Sequence, residues 1–156
     1  MHKVLFVCLG NICRSPAADG VMVHLVNERG ISSQFEIDSA GTSAHHVGEP
    51  ADSRMREHAQ RRGIFLGSIS RAFDASSDFE KYDLILAMDN SNYRNILAMN
   101  PSGEYHHKVK MFCDFAKNRS ESEVPDPYYG GAKGFEQVLD IVEDGVEGIL
   151  KHYEQK

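Results

Sequence analysis

The chain is 156 residues long, enough for one domain with a sizeable core, and its 41% apolar and 26% charged residues match a water-soluble globular protein. A net charge of −6 sets its surface against nucleic acid and anionic membranes, and no apolar run approaches the roughly 18 residues of a membrane span. Three cysteines, Cys8, Cys13 and Cys113, make no secreted disulfide framework, and the short apolar run after Lys3 is too brief for a signal-peptide core, so a cytoplasmic protein is expected.

In chain order, Lys3 to Val7 reads as a short, continuously apolar strand. Ser15 is placed to cap a helix whose first position is Pro16, where a missing N–H costs nothing. Ala17, Ala18, Val21, Met22, Leu25 and Val26 then form one apolar stripe, and Arg29-Gly30 closes it. Phe35 to Ser39 is a second strand, and Pro50 to Arg62 a helix stopped by Gly63. Tyr82 to Met88 is a third strand, buried on both faces. Asp89-Asn90-Ser91 offers caps for a short helix that Pro101 ends, and Lys108 to Phe112 is a fourth strand. The clearest helix runs from about Ala132 to Tyr153, with apolar residues at 3-4 spacing over five turns. Strands alternating with helices predict an α/β fold: one domain over residues 1–156, a four-stranded parallel sheet, helices on both faces. In such sheets ligands bind beyond the carboxyl ends of the strands, where the first strand runs into "CLGNICRS".

That segment has the makings of an anion cradle. Gly10 and Asn11 both tolerate positive φ, so a tight turn can aim the N–H groups of Leu9, Gly10, Asn11, Ile12, Cys13 and Arg14 inward. Such a ring, backed by a helix N-terminus, suits the oxygens of a phosphate monoester. Arg14 adds a planar fork for two of those oxygens. A cation at a helix N-terminus is unfavourable unless an anion compensates it. Cys8 sits on the cradle floor, in a field that favours thiolate, and is aimed at whatever phosphorus is bound. The leaving oxygen then needs a proton. Asp126 in "VPDPYYGG" is stiffened by flanking prolines, and a partly apolar pocket would raise its pKa for that task. Tyr128 and Tyr129 are candidate walls for an aromatic substrate.

With "VCLGNICRSP" (Val7 to Pro16) and "DPYYGG" (Asp126 to Gly131) both in view, the chain resembles the low-molecular-weight protein tyrosine phosphatases over essentially its whole length. "DSAGTS" (Asp38 to Ser43) and "AMDNSN" (Ala87 to Asn92) add to the match. The resemblance implies that Cys8 forms a phosphocysteine, that Arg14 binds the phosphoryl oxygens, and that Asp126 protonates the leaving phenol and then deprotonates water. It implies loop support from Asn11, Ser15, Ser39 and Asp89, and a substrate wall of Ile12, His45, Tyr128 and Tyr129. It also implies a redox partner for Cys8 in Cys13, and for the sheet a strand order of 2-1-3-4. No metal or cofactor is expected. The expected partners are phosphotyrosine-containing proteins, with no nucleic acid or membrane, and the chain is expected to be a monomer, with a weak dimer as the alternative.

Two departures from the family pattern stand out. Ser68 occupies the position where many relatives carry a loop-bracing histidine, three residues before Arg71. His45 or His46 stands at the rim where several relatives have Trp or Tyr. The pairs His45-His46 and His106-His107 lack a third ligand at metal spacing. Arsenate reduction is an alternative on the same fold, but its relay uses two further cysteines and only Cys113 remains. Phosphoarginine hydrolysis is a second alternative; those relatives tend to place threonine where this chain has Ile12.

Overall fold

The computed structural model describes residues 1–127 and 131–154. Strands β1 (His2–Cys8), β2 (Phe35–Gly41), β3 (Leu84–Ala87) and β4 (Val109–Met111) form one sheet in the order β2-β1-β3-β4. Every pairing is parallel, as expected for strands joined by helical crossovers. β1 is central and is fully buried from Val4 onward. Its residues alternate between two cores. Val4 and Phe6 face helices α1 (Arg14–Glu28) and α5 (Gly131–Glu154), and α2 (Ser53–Gln60) joins the same layer. Leu5 and Val7 face the other core, with Phe79 of α3 (Asp78–Lys81) and Ile96 of α4 (Asn90–Ala98). Cys8 pairs with Gly41 and Val7 with Ala87, so three strands end level and the loops that follow them share one edge.

Several boundaries differ from the sequence reading, each for a local reason. α1 begins at Arg14 behind Cys13, and no side chain caps it. Ser15 is inside the helix with its hydroxyl engaged elsewhere, and Pro16 falls within the first turn, where N–H groups have no intrahelical acceptor. The far end closes as expected: Gly30 turns at φ 70° and Ile31 N–H returns to Val26 O at 2.9 Å. α2 starts at Ser53, not Pro50, because the Asp52 side chain accepts from the N–H groups of Arg54 and Met55. Pro50 instead bridges Ile69. β3 starts at Leu84 because Tyr82 ends the four-residue α3, which is too short to show a period. Phe112 leaves β4 for a 3₁₀ turn, Phe112–Phe115, and packs edge-on against Phe6 at 5.9 Å. α4 carries a full capping box, Asp89 with Asn92. Among the described residues no helix is long and apolar enough to cross a membrane.

Candidate active site

The chain leaves β1 at Cys8 and enters α1 at Arg14, and the intervening loop reverses direction around Asn11, whose φ is 56°. Gly10 does not share that conformation. A Cβ there would stand 3.0 Å from Cδ2 of His46, a close contact to which that ring would have to yield. Across the sheet, Thr42 N–H donates to Cys8 O at 2.9 Å and Ser43 N–H to Leu9 O at 3.0 Å. The ladder of β2 thus continues into the loop. Gly41 permits this approach, because its Cβ would meet Leu9 O at 2.7 Å.

Cys8 is buried, and its sulfur is surrounded by donors. Asn11 N–H donates to Sγ at 3.3 Å, and Ser15 Oγ lies 3.0 Å away. Asn11 Nδ2 donates to the same Ser15 oxygen at 2.8 Å. The single Ser15 proton then has two acceptors, the sulfur and the more distant Ala40 O at 3.5 Å.

Arg14 is 4% exposed, and the groups its guanidinium bonds to or pairs with come from distant parts of the chain. Nη1 donates to Asp89 Oδ2 at 2.7 Å and to Val124 O at 3.1 Å, while Nη2 stands 3.9 Å from Asp126 Oδ2. Burial works against the guanidinium charge, but Cys8 and Asp89 outweigh it and raise its pKa above the usual arginine value. Asp89 serves two elements at once. Its Oδ1 accepts Asn92 N–H at 2.7 Å, capping α4, while its Oδ2 holds Arg14. The segment before Asp126 is pinned from both sides, by Val124 N–H to Met88 O at 2.8 Å and by Asn90 N–H to Glu123 Oε2 at 2.7 Å.

These groups meet in one cavity of about 370 Å³. Cys8, Leu9, Gly10, Ile12, Cys13 and Arg14 line it, and Asp126, His45 and His46 stand on its walls. Both rim imidazoles are therefore present, in edge contact at 4.8 Å, with His46 Nδ1 2.9 Å from Glu49 Oε2. Tyr128 and Tyr129 lie outside the described residues. Cys13 is buried beside Cys8, and neither is in a disulfide. Burial, then the charge of Asp52, pushes the Cys13 thiol far up. Among the described residues no cluster of His, Cys, Asp or Glu side chains assembles as a metal site would.

Behind the loop, Asn11 Oδ1 accepts from Arg71 N–H at 3.0 Å, and Ser70 Oγ donates to Gly10 O at 3.1 Å. Arg71 is itself held by Asp38 at 3.0 Å and Asp78 at 2.9 Å. Ser70, rather than Ser68, is the serine that reaches the loop. Ser39 is one layer down, with its hydroxyl donated to Asp19 Oδ2 at 3.0 Å. Burial pushes the Asp19 carboxyl up to about 7. Ser70, Glu123 and Asp19 were not anticipated from the sequence. Only Asp19 had a local signal, standing one helical turn after Ser15.

Comparison with known proteins places the chain in a family. The family model described as low molecular weight phosphotyrosine protein phosphatase matches residues 3–156. A Synechocystis protein of the same family name is 53% identical over 148 residues, covering 95% of this chain and 94% of its own. The crystal structure of a protein tyrosine phosphatase from Entamoeba histolytica superposes with a TM-score of 0.95 at 46% identity, covering 99% of this chain and 98% of that one. An arginine phosphatase of drosophila superposes with a TM-score of 0.89 at 32% identity, covering 97% of each chain. On sequence, fold and the C-x5-R loop together, the chain belongs to the low molecular weight phosphotyrosine protein phosphatase family.

Proposed function

We propose that the protein hydrolyses phosphotyrosine in phosphoproteins, through a phosphocysteine on Cys8. The observation that carries this reading is the convergence of a buried sulfur, a buried guanidinium and a carboxylate in one cavity. A phosphoryl group seated on the loop would take hydrogen bonds from the loop's backbone N–H groups and from the Arg14 fork, with phosphorus over the sulfur. Cys8 Sγ attacks, the P–O bond to the phenol breaks, and Asp126 delivers its proton to the leaving oxygen. Asp126 then takes a proton from water as that water attacks the phosphocysteine. The P–S bond breaks, and the Ser15 hydroxyl at 3.0 Å stabilises the departing thiolate. The side chain of Asp126 is 43% exposed, so the bound substrate itself must cover the acid.

Phosphoarginine is the second reading, favoured by the superposition on the drosophila arginine phosphatase. Ile12 on the cavity wall favours the aryl ester, since its branched bulk packs against a flat ring and crowds a guanidinium. Three unpaired cysteines support a reducing, cytoplasmic setting.

The test is hydrolysis of p-nitrophenyl phosphate, followed by a panel of phosphotyrosine, phosphoarginine and phosphoserine peptides. Cys8→Ser is expected to abolish turnover while keeping phosphate or vanadate binding. Asp126→Ala is expected to lower the rate by roughly 10²–10⁴-fold. Turnover surviving in Cys8→Ser would remove the mechanism, and a preference for phosphoarginine would exchange the substrate.

A further inference from the structure

The peptide that joins Gly10 to Asn11 is held at both ends. Its N–H, on Asn11, donates to Cys8 Sγ at 3.3 Å. Its carbonyl, on Gly10, accepts from Ser70 Oγ at 3.1 Å. A trans peptide points its N–H and C=O in opposite directions, so fixing one end fixes the other. Without such a hold the plane turns over easily. Gly10 has no Cβ to oppose rotation, and Asn11 at φ 56° would return to ordinary backbone space if the preceding peptide flipped. In the flipped arrangement a carbonyl oxygen, not an N–H, would face the sulfur and any bound oxyanion.

We propose that Ser70 is a positioning residue that latches the Gly10–Asn11 peptide in the orientation that serves the sulfur and the phosphate. The latch is rigidly mounted. Ser70 is 3% exposed, its N–H donates to Glu49 O at 2.8 Å, and its carbonyl accepts from Gly48 N–H at 2.9 Å. The next residue holds the Asn11 side chain through its backbone N–H at 3.0 Å. Adjacent residues thus grip the loop at the two positions where its chain reverses. The strand pairing that fixes Ser70 also fixes residues 48–50, next to His46 on the cavity wall, so cradle and rim share one support.

The proposal rests on the phosphatase reading, and the test separates the two. Wild type, Ser70→Ala and Ser70→Thr are compared for inhibition by inorganic phosphate and for the rate of Cys8 alkylation by iodoacetate at a fixed pH. Ser70→Ala is expected to raise the phosphate inhibition constant by roughly tenfold, the scale of one lost hydrogen bond at an anion site. Alkylation should slow in parallel, and Ser70→Thr, which keeps the hydroxyl, should stay within about threefold of wild type. The dependence of kcat/KM on leaving-group acidity should be the same in all three, because Asp126 is held from elsewhere. A Ser70→Ala protein with wild-type phosphate affinity and alkylation rate would overturn the latch. Equal losses in Ser70→Ala and Ser70→Thr would also overturn it, by assigning the effect to shape instead of the hydroxyl. A wild-type protein that neither turns over aryl phosphate nor binds phosphate would remove the phosphatase reading instead.

Discussion

Asp19 has the most perturbed carboxyl near the loop. Burial raises it, the Ser39 hydrogen bond opposes this, and the charge of Asp38 adds to the rise, leaving it at about 7. An unfolded aspartate titrates near 3.9. Between those values the native state holds more protons than the unfolded chain, so the contribution of Asp19 to stability falls as pH rises from about 4 to 7. The total is on the order of a few kcal/mol, and it is constant below and above that window. Asp19→Asn keeps an acceptor for Ser39 without a charge. Urea unfolding at pH 5 and pH 8 should therefore show the variant gaining stability relative to wild type at the higher pH. An identical difference at both values would mean that Asp19 does not titrate in the window. Little of this was visible beforehand: a polar residue four positions after Ser15 reads equally well as the wet face of a helix, and only the neighbouring strand buries it.

Among the elements, α4 links chain-local capping to the chemistry of the cavity. Asp89 was expected to be a cap and a supporting residue, and its two oxygens are divided between Asn92 N–H and Arg14. Two substitutions separate these contributions. Asp89→Asn keeps a good capping oxygen but turns an amide donor toward the guanidinium. Asp89→Ala removes the cap as well, and should cost about 1 kcal/mol more in unfolding free energy than Asp89→Asn. Both should weaken phosphate inhibition, by roughly tenfold, because Nη1 of Arg14 loses the acceptor that orients the guanidinium in the cavity. Equal stability of the two variants would show that the cap contributes nothing measurable. The capping box was legible in "DNSN" because capping is a contact over three residues. The partner of its second oxygen was not, because it lies 75 residues away.

The seating of α5 decides how the parts of the cavity face one another. Asp126 precedes this helix, and Gly134 in its first turns lies against Pro127, where a Cβ would come within 3.6 Å. Farther along, Gly145 and Gly148 press on the 3₁₀ turn after β4. A Cβ on Gly148 would stand 1.7 Å from Phe115 O, and one on Gly145 would stand 2.3 Å from the Phe112 ring. Gly148→Ala should therefore lower stability by about 1–3 kcal/mol or more, since a backbone carbonyl cannot yield as a side chain does. The urea midpoint of the variant checks this, and a wild-type midpoint would mean that the helix slides freely on the turn. The apolar stripe of α5, the alternation of strands with helices and the loop motif were all readable from the residues, because periodicity, turn chemistry and the C-x5-R spacing are properties of neighbouring positions. The contacts of Arg14 with Asp89 and Val124, of Ser70 with Gly10, and of Asp19 with Ser39 were not. They join residues 75, 110, 60 and 20 positions apart, and only the parallel order of the sheet, which ends three strands at one edge, brings them together.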